Sequence, residues 1–115
     1  RGKMLLVTDA MPPVGADRPD YVLNGETIVV KDGICQTAQG VLAGSALDMA
    51  SAVRNAVQLL GLSLEEAARM ASTYPAEFLG LGGSHGRIAP GYRADLVVLD
   101  DEYRVQRSWI GGVGE

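Results

Sequence analysis

Residues 21–37 read YVLNGETIVVKDGICQT, and this stretch decides the fold of its part of the chain. Two dipeptides, Asn24-Gly25 and Asp32-Gly33, separate short runs of apolar and β-branched residues. Asn-Gly and Asp-Gly are favoured in two-residue hairpin turns, because both central residues there have a positive φ. The stretch therefore predicts a meander of three antiparallel strands. These strands cover residues 21–23, 27–31 and 34–37.

The segment before the meander begins with an uninterrupted apolar run, Met4–Val7, which ends in Thr8-Asp9. Such a run is typical of a strand buried on both faces in a parallel sheet, although a core helix would give the same pattern. The following loop, 10–20, contains three prolines and a glycine, which favours a strand that stops abruptly. The pattern places Asp9 at the carboxyl end of a buried strand.

The hydrophobic spacing changes to a helical period after the meander. Ser45 is predicted to cap a first helix over 46–60, and Gly61 stands where a glycine commonly ends one. The sequence Ser63-Leu64-Glu65-Glu66 is a capping box that starts a second helix. Pro75 ends this second helix or begins another short one.

The last third of the chain returns to strand patterns. Leu96–Leu99 is an apolar strand, and Arg104–Ile110 is a second predicted strand. A lone buried strand followed by helices fits the end of a (β/α)₈ barrel. The hairpins and the terminal strands fit a small separate sheet.

Composition and charge exclude several classes of protein. The chain has 115 residues, of which 47% are hydrophobic and 21% charged, as in an ordinary globular domain. Its net charge of −4 and its scattered basic residues argue against a nucleic-acid partner. No apolar run approaches the roughly 20 residues that cross a bilayer, so we expect no membrane partner. A single cysteine, Cys35, fits a reducing, cytoplasmic compartment.

Three segments together resemble one family, the N-acetylglucosamine-6-phosphate deacetylases of the amidohydrolase superfamily. Residues 6–11, LVTDAM, resemble its eighth barrel strand. Residues 42–49, LAGSALDM, together with AVRN at 52–55, resemble the loop and helix that follow. Residues 86–100, GRIAPGYRADLVVLD, resemble the closing segment of many amidohydrolases. The likeness spans almost the whole chain.

The resemblance implies an α/β fold: the last strand and helices of a (β/α)₈ TIM-type barrel plus part of a small β-sandwich domain. Because the chain starts at Arg1 without an initiator methionine, we interpret it as the C-terminal part of a longer protein. We expect four segments: the final barrel strand with its catalytic loop, the hairpin meander, the barrel-closing helices and the terminal sandwich strands. They cover residues 1–20, 21–40, 41–85 and 86–115.

The resemblance also implies a reaction, the removal of the acetyl group from N-acetylglucosamine 6-phosphate to give glucosamine 6-phosphate and acetate. A divalent metal, zinc or similar, would polarise the amide and activate water. Asp9 matches the aspartate that takes the proton from this water and passes it to the leaving amine. Leu42, Ala43 and Gly44 match a loop beside the sugar. With His85 as the single histidine, we expect the metal ligands upstream of this chain.

Alternative interpretations remain open at this point. A second amidohydrolase, such as an adenine deaminase or a dihydroorotase-like enzyme, would share the closing Ala94-Asp95-Leu96 segment. A β-rich module without any chemistry is the other alternative. Asp9 itself could be a strand-end carboxylate that caps the next loop. If the family assignment holds, the expected partners are an amino-sugar phosphate and a second copy of the intact protein, as a homodimer.

Overall fold

The structure is a computed structural model, and it describes residues 4–16, 18 and 20–114. The chain divides into two compact units. One unit is formed by Thr8–Asp48. The other combines the residues up to Val7 with those from Met49 onward.

The unit formed by Thr8–Asp48 contains a four-stranded antiparallel sheet, in which each strand pairs with the next one along the chain. Asn24, Gly25, Asp32 and Gly33 all have positive φ, as the two hairpin turns require. The predicted meander is therefore confirmed. Ile28 and Cys35 are buried on the sheet, so Cys35 serves as a small core residue. The strands are β1 Asp20–Leu23, β2 Glu26–Lys31, β3 Ile34–Thr37 and β4 Leu42–Ser45.

Strand β4 was not predicted. The sequence predicted a glycine loop over Leu42–Gly44 and a helix capped by Ser45, but Leu42–Ser45 pairs with β3. The first helix begins only at Met49. The prediction was wrong because serine after glycine is compatible with both a helix cap and a strand end, and pairing with β3 decided between them.

The predicted strand Met4–Val7 is also absent from the structure. These residues have no regular secondary structure, and the Val7 side chain is 76% exposed. Leu6 is nevertheless anchored, since its backbone N–H donates to the Met70 carbonyl at 3.0 Å. A strand of a parallel sheet needs a neighbouring strand to pair with, and the described residues supply none alongside Met4–Val7.

The second unit contains the helices. Ser63 caps α2 as predicted, because its hydroxyl accepts from the Glu66 N–H at 3.3 Å. The helical path then widens into a π-helical turn, Arg69–Thr73, which the sequence did not indicate. Val53, Ala56 and Ala67 form the buried core of this unit. The helices are α1 Met49–Gln58, α2 Leu64–Ala68 and α3 Tyr74–Phe78.

The terminal strands form their own three-stranded sheet, in which each strand pairs with the next one along the chain. The two predicted strands are confirmed as β5 Leu96–Leu99 and β6 Val105–Ile110, and the short β7 Val113–Gly114 was missed. The expectation of one sheet shared by the hairpins and the terminal strands was wrong, since the two ladders are separate. None of the helices in the described part of the chain has the length and apolar character needed to cross a membrane.

Candidate functional site

The candidate site is built around Asp9, whose side chain is exposed to solvent. Its backbone has a φ of +52°, in the left-handed region, which aspartate enters more readily than most residues with a side chain. Such conformations persist where surrounding contacts hold them, and they concentrate at functional sites. The conformation at Asp9 therefore depends on the contacts around it.

Ser45, at the end of β4, contacts the backbone on both sides of Asp9. The Ser45 N–H donates to the Asp9 carbonyl at 2.9 Å, and the Met11 N–H donates to the Ser45 carbonyl at 2.9 Å. The Ser45 hydroxyl donates to the Thr8 carbonyl at 2.5 Å. Ala10 and Ser45 form a parallel bridge at the same place. The loop around Asp9 is thus fixed to the edge of the meander sheet.

Gly44 precedes Ser45 in β4 and is buried. Its φ is +108°, and a β-carbon at this position would lie 2.4 Å from Met11 Cγ and 3.1 Å from the Asp9 carbonyl oxygen. Only glycine combines this backbone conformation with so close an approach. The structure therefore brings Gly44 and Asp9 together, as the sequence prediction of a shared site requires.

Leu42 and Ala43 occupy different positions in the same strand. The Leu42 side chain is 71% exposed, whereas the Ala43 carbonyl accepts a hydrogen bond from the Tyr21 hydroxyl at 3.2 Å. Loss of hydration, with the nearby Cys35 thiol and the Asp9 carboxylate, raises the pKa of Tyr21. Ser45 and Tyr21 were both missed as site residues, because the pairing that brings them to Asp9 is long-range and leaves no local sequence signal.

The described residues do not fit a metal site on their own. Among them, no three His, Cys, Asp or Glu side chains are grouped so as to hold an ion, and a catalytic zinc-type site takes about three protein ligands. His85 lies in the other unit, the one that continues from Met49 onward, and its Nδ1 is 2.8 Å from the Ser84 hydroxyl. At this place the described residues offer the exposed carboxylate of Asp9 on a backbone that hydrogen bonds hold in position.

Known proteins are similar to this chain along almost its whole length. An N-acetylgalactosamine-6-phosphate deacetylase of Escherichia coli O157:H7 is 44% identical over 96% of this chain, which covers 29% of that protein. The human N-acetylglucosamine-6-phosphate deacetylase is 40% identical over 95% of the chain, which covers 27% of it. The chain covers 66% of the length of a further relative, from Escherichia coli K12.

Solved structures are similar to this chain as well. The crystal structure of N-acetylglucosamine-6-phosphate deacetylase from Pasteurella multocida matches 99% of this chain with a TM-score of 0.93 and 36% identity, and the chain spans 30% of it. The sequence profile of the Amidohydrolase family matches residues 3–113, nearly the whole chain. The chain belongs to the amidohydrolase family.

Proposed function

We propose that the protein carrying this chain hydrolyses the acetamide of an N-acetylhexosamine 6-phosphate, releasing acetate and the free amino-sugar phosphate. The observation that carries the proposal is Asp9, an exposed carboxylate on a left-handed backbone that is tied to the adjacent sheet. The deacetylases to which the chain is similar support it. Family membership argues against a β-rich module without chemistry, and these relatives favour a deacetylase over a nucleobase or dihydroorotate hydrolase.

Asp9 supplies the acid–base step of this reaction. Its carboxylate accepts a proton from the attacking water while the water oxygen bonds to the acetyl carbon. The same proton then passes to the amine nitrogen as the carbon–nitrogen bond breaks. A carboxylate suits this role because it returns within one turnover the proton that it accepts. Leu42, Ala43 and Gly44 form the strand edge next to this group, and we assign them to the sugar side of the site.

The family is generally metal-dependent, and a divalent metal would activate water and polarise the amide. Since the described residues do not form a set of ligands, we assign these ligands to parts of the protein outside this chain. The relatives are long enough to hold them, because the chain spans less than a third of those from Escherichia coli O157:H7 and human. We also propose a homodimer in the cytoplasm as the intact form.

The identity of the sugar needs a direct comparison. The sequence resemblance predicted the glucosamine derivative, whereas relatives at 44% and 45% identity are named for the galactosamine derivative. The two sugars differ only in configuration at C4, so both are tested in parallel. The neighbour from Mycobacterium smegmatis, at 34% identity, was solved in complex with N-acetyl-D-glucosamine-6-phosphate. We therefore expect turnover of at least one epimer.

The test is the deacetylation of both phosphates by the full-length protein and its Asp9→Asn variant. Asparagine keeps the size of the side chain but cannot take up the proton. We expect substrate binding to persist and turnover to fall by about 10²–10⁴-fold. Glu26→Gln, in the exposed start of β2, is the matched control and should retain activity. A near-parental turnover number for Asp9→Asn would remove Asp9 from the mechanism, and no hydrolysis of either sugar by the parent would reject the function.

A further inference from the structure

The backbone of Asp9 is held by an unusual set of contacts from one residue. At φ +52°, the Asp9 backbone is in the left-handed region, which aspartate enters as a single residue but which is less favourable than the ordinary backbone regions. Rotation about the Asp9 backbone would change the direction in which its carboxylate points. A catalytic carboxylate in this conformation therefore requires an external restraint.

Ser45 provides that restraint through three hydrogen bonds to consecutive parts of the loop. Its backbone N–H and C=O bond to Asp9 and Met11, and its hydroxyl donates to the Thr8 carbonyl. The same hydroxyl oxygen accepts from the Leu47 N–H at 3.1 Å, which fixes its proton towards Thr8. The hydroxyl bond is the one that a side-chain substitution removes without changing the backbone pair.

We propose that Ser45 is a positioning residue, whose hydroxyl fixes the peptide before Asp9 so that the Asp9 carboxylate stays in line with the substrate amide. The inference rests on the function proposed above. It assigns Ser45 no covalent role, because its proton is committed to the Thr8 carbonyl. The close approach at Gly44 supports the same arrangement, since Gly44 allows β4 to come within contact of the Asp9 carbonyl.

The experiment compares Ser45→Ala and Ser45→Thr in the full-length protein, with steady-state kinetics on both sugar phosphates. Misplacement of a catalytic group lowers turnover more than it lowers binding, so Ser45→Ala should reduce kcat by about 10- to 100-fold with KM within about twofold. Ser45→Thr keeps the hydroxyl and should restore most of kcat. Ser72→Ala is the matched control, because it removes an exposed serine hydroxyl whose partners among the described residues are the Ala68 and Gly86 carbonyls. It should behave as the parent.

Each result bears on the inference in a defined way. An active parent with an unchanged kcat in Ser45→Ala overturns the positioning role and leaves the proposed function intact. The positioning role is also overturned if Ser45→Thr is as impaired as Ser45→Ala. It is overturned as well if the fall in kcat comes with a matching fall in thermal stability, because that indicates a structural role. A parent that hydrolyses neither phosphate overturns the proposed function and this inference with it.

Discussion

At the scale of single residues, Gly44 carries the sharpest prediction. An alanine there would have a φ of +108° and a methyl group 2.4 Å from Met11 Cγ and 3.1 Å from the Asp9 carbonyl oxygen. The left-handed backbone costs about 1–2 kcal/mol, and overpacking adds about 1–3 kcal/mol. We therefore expect Gly44→Ala to lower the free energy of unfolding by about 2–5 kcal/mol and to displace the Asp9 loop.

The control for this substitution is Gly83→Ala. Gly83 has no positive φ, and a β-carbon built on it meets nothing within 4 Å. Chemical denaturation of the two full-length variants should separate them clearly, with Gly83→Ala close to the parent. Equal stability of the two variants would show that β4 moves away from Met11 without cost, and the close approach would then have no role at the site.

At the scale of elements, the sequence predicted the turns and the helix cap, whose sequence signal lies within a few neighbouring residues. The hairpin turns at Asn24-Gly25 and Asp32-Gly33, and the capping box at Ser63, each depend on residues within four positions of one another. Strand β4 depends instead on pairing with β3, and the Met4–Val7 strand would need partners that the described residues do not provide. The π-helical turn likewise has no breaker residue that marks it.

The same difference between local and long-range signals applies to the candidate site. Asp9 and Gly44 were indicated by the family resemblance, whose most distinctive segment is the one that contains Gly44. Ser45 was assigned to a helix cap, since its contact with Thr8 spans 37 residues. Hydrogen bonds of that kind form only after the sheet is assembled, and no periodicity in the sequence encodes them.

The turn before β5 leads to a prediction about pH. The Asp95 carboxylate accepts from the Gly111 N–H at 2.8 Å and pairs with the Arg93 guanidinium, and these contacts hold its pKa below the ordinary range. A lowered pKa means that the folded state favours the charged form. The stabilisation is therefore present at neutral pH and is lost as the pH falls through the folded-state pKa of Asp95.

We expect Asp95→Asn to loosen the β6–β7 hairpin at neutral pH. Amide hydrogen exchange of a peptide containing Gly111 and Gly112 should be faster in the variant, and the difference should shrink as the pH is lowered below about 3.9, the usual value for aspartate. Asp101→Asn, in the exposed turn before β6, is the control and should exchange like the parent. A difference that grows on acidification would contradict the assigned sign.

At the scale of the whole molecule, the described chain has a small core and many exposed apolar side chains. The largest fully buried side chains among the described residues are Ile28 and Cys35. In contrast, Phe78 is 79% exposed, Ile88 is 91% exposed and Leu59 is 75% exposed. Apolar side chains left exposed in this number favour association with other protein, because their burial removes apolar surface from water.

We therefore expect the chain Arg1–Glu115, expressed alone, to self-associate and to be inactive on both sugar phosphates, even with added zinc. Its exposed apolar side chains favour association, and its described residues form no metal site. Net stability is only about 5–15 kcal/mol in ordinary domains, so a core this small leaves little reserve. The measurements are mass in solution by light scattering and acetate release, with the full-length protein as the positive control. A folded monomer of 12.1 kDa that releases acetate at the full-length rate would show that this chain holds the complete site, and the assignment of the metal ligands to other parts of the protein would be wrong.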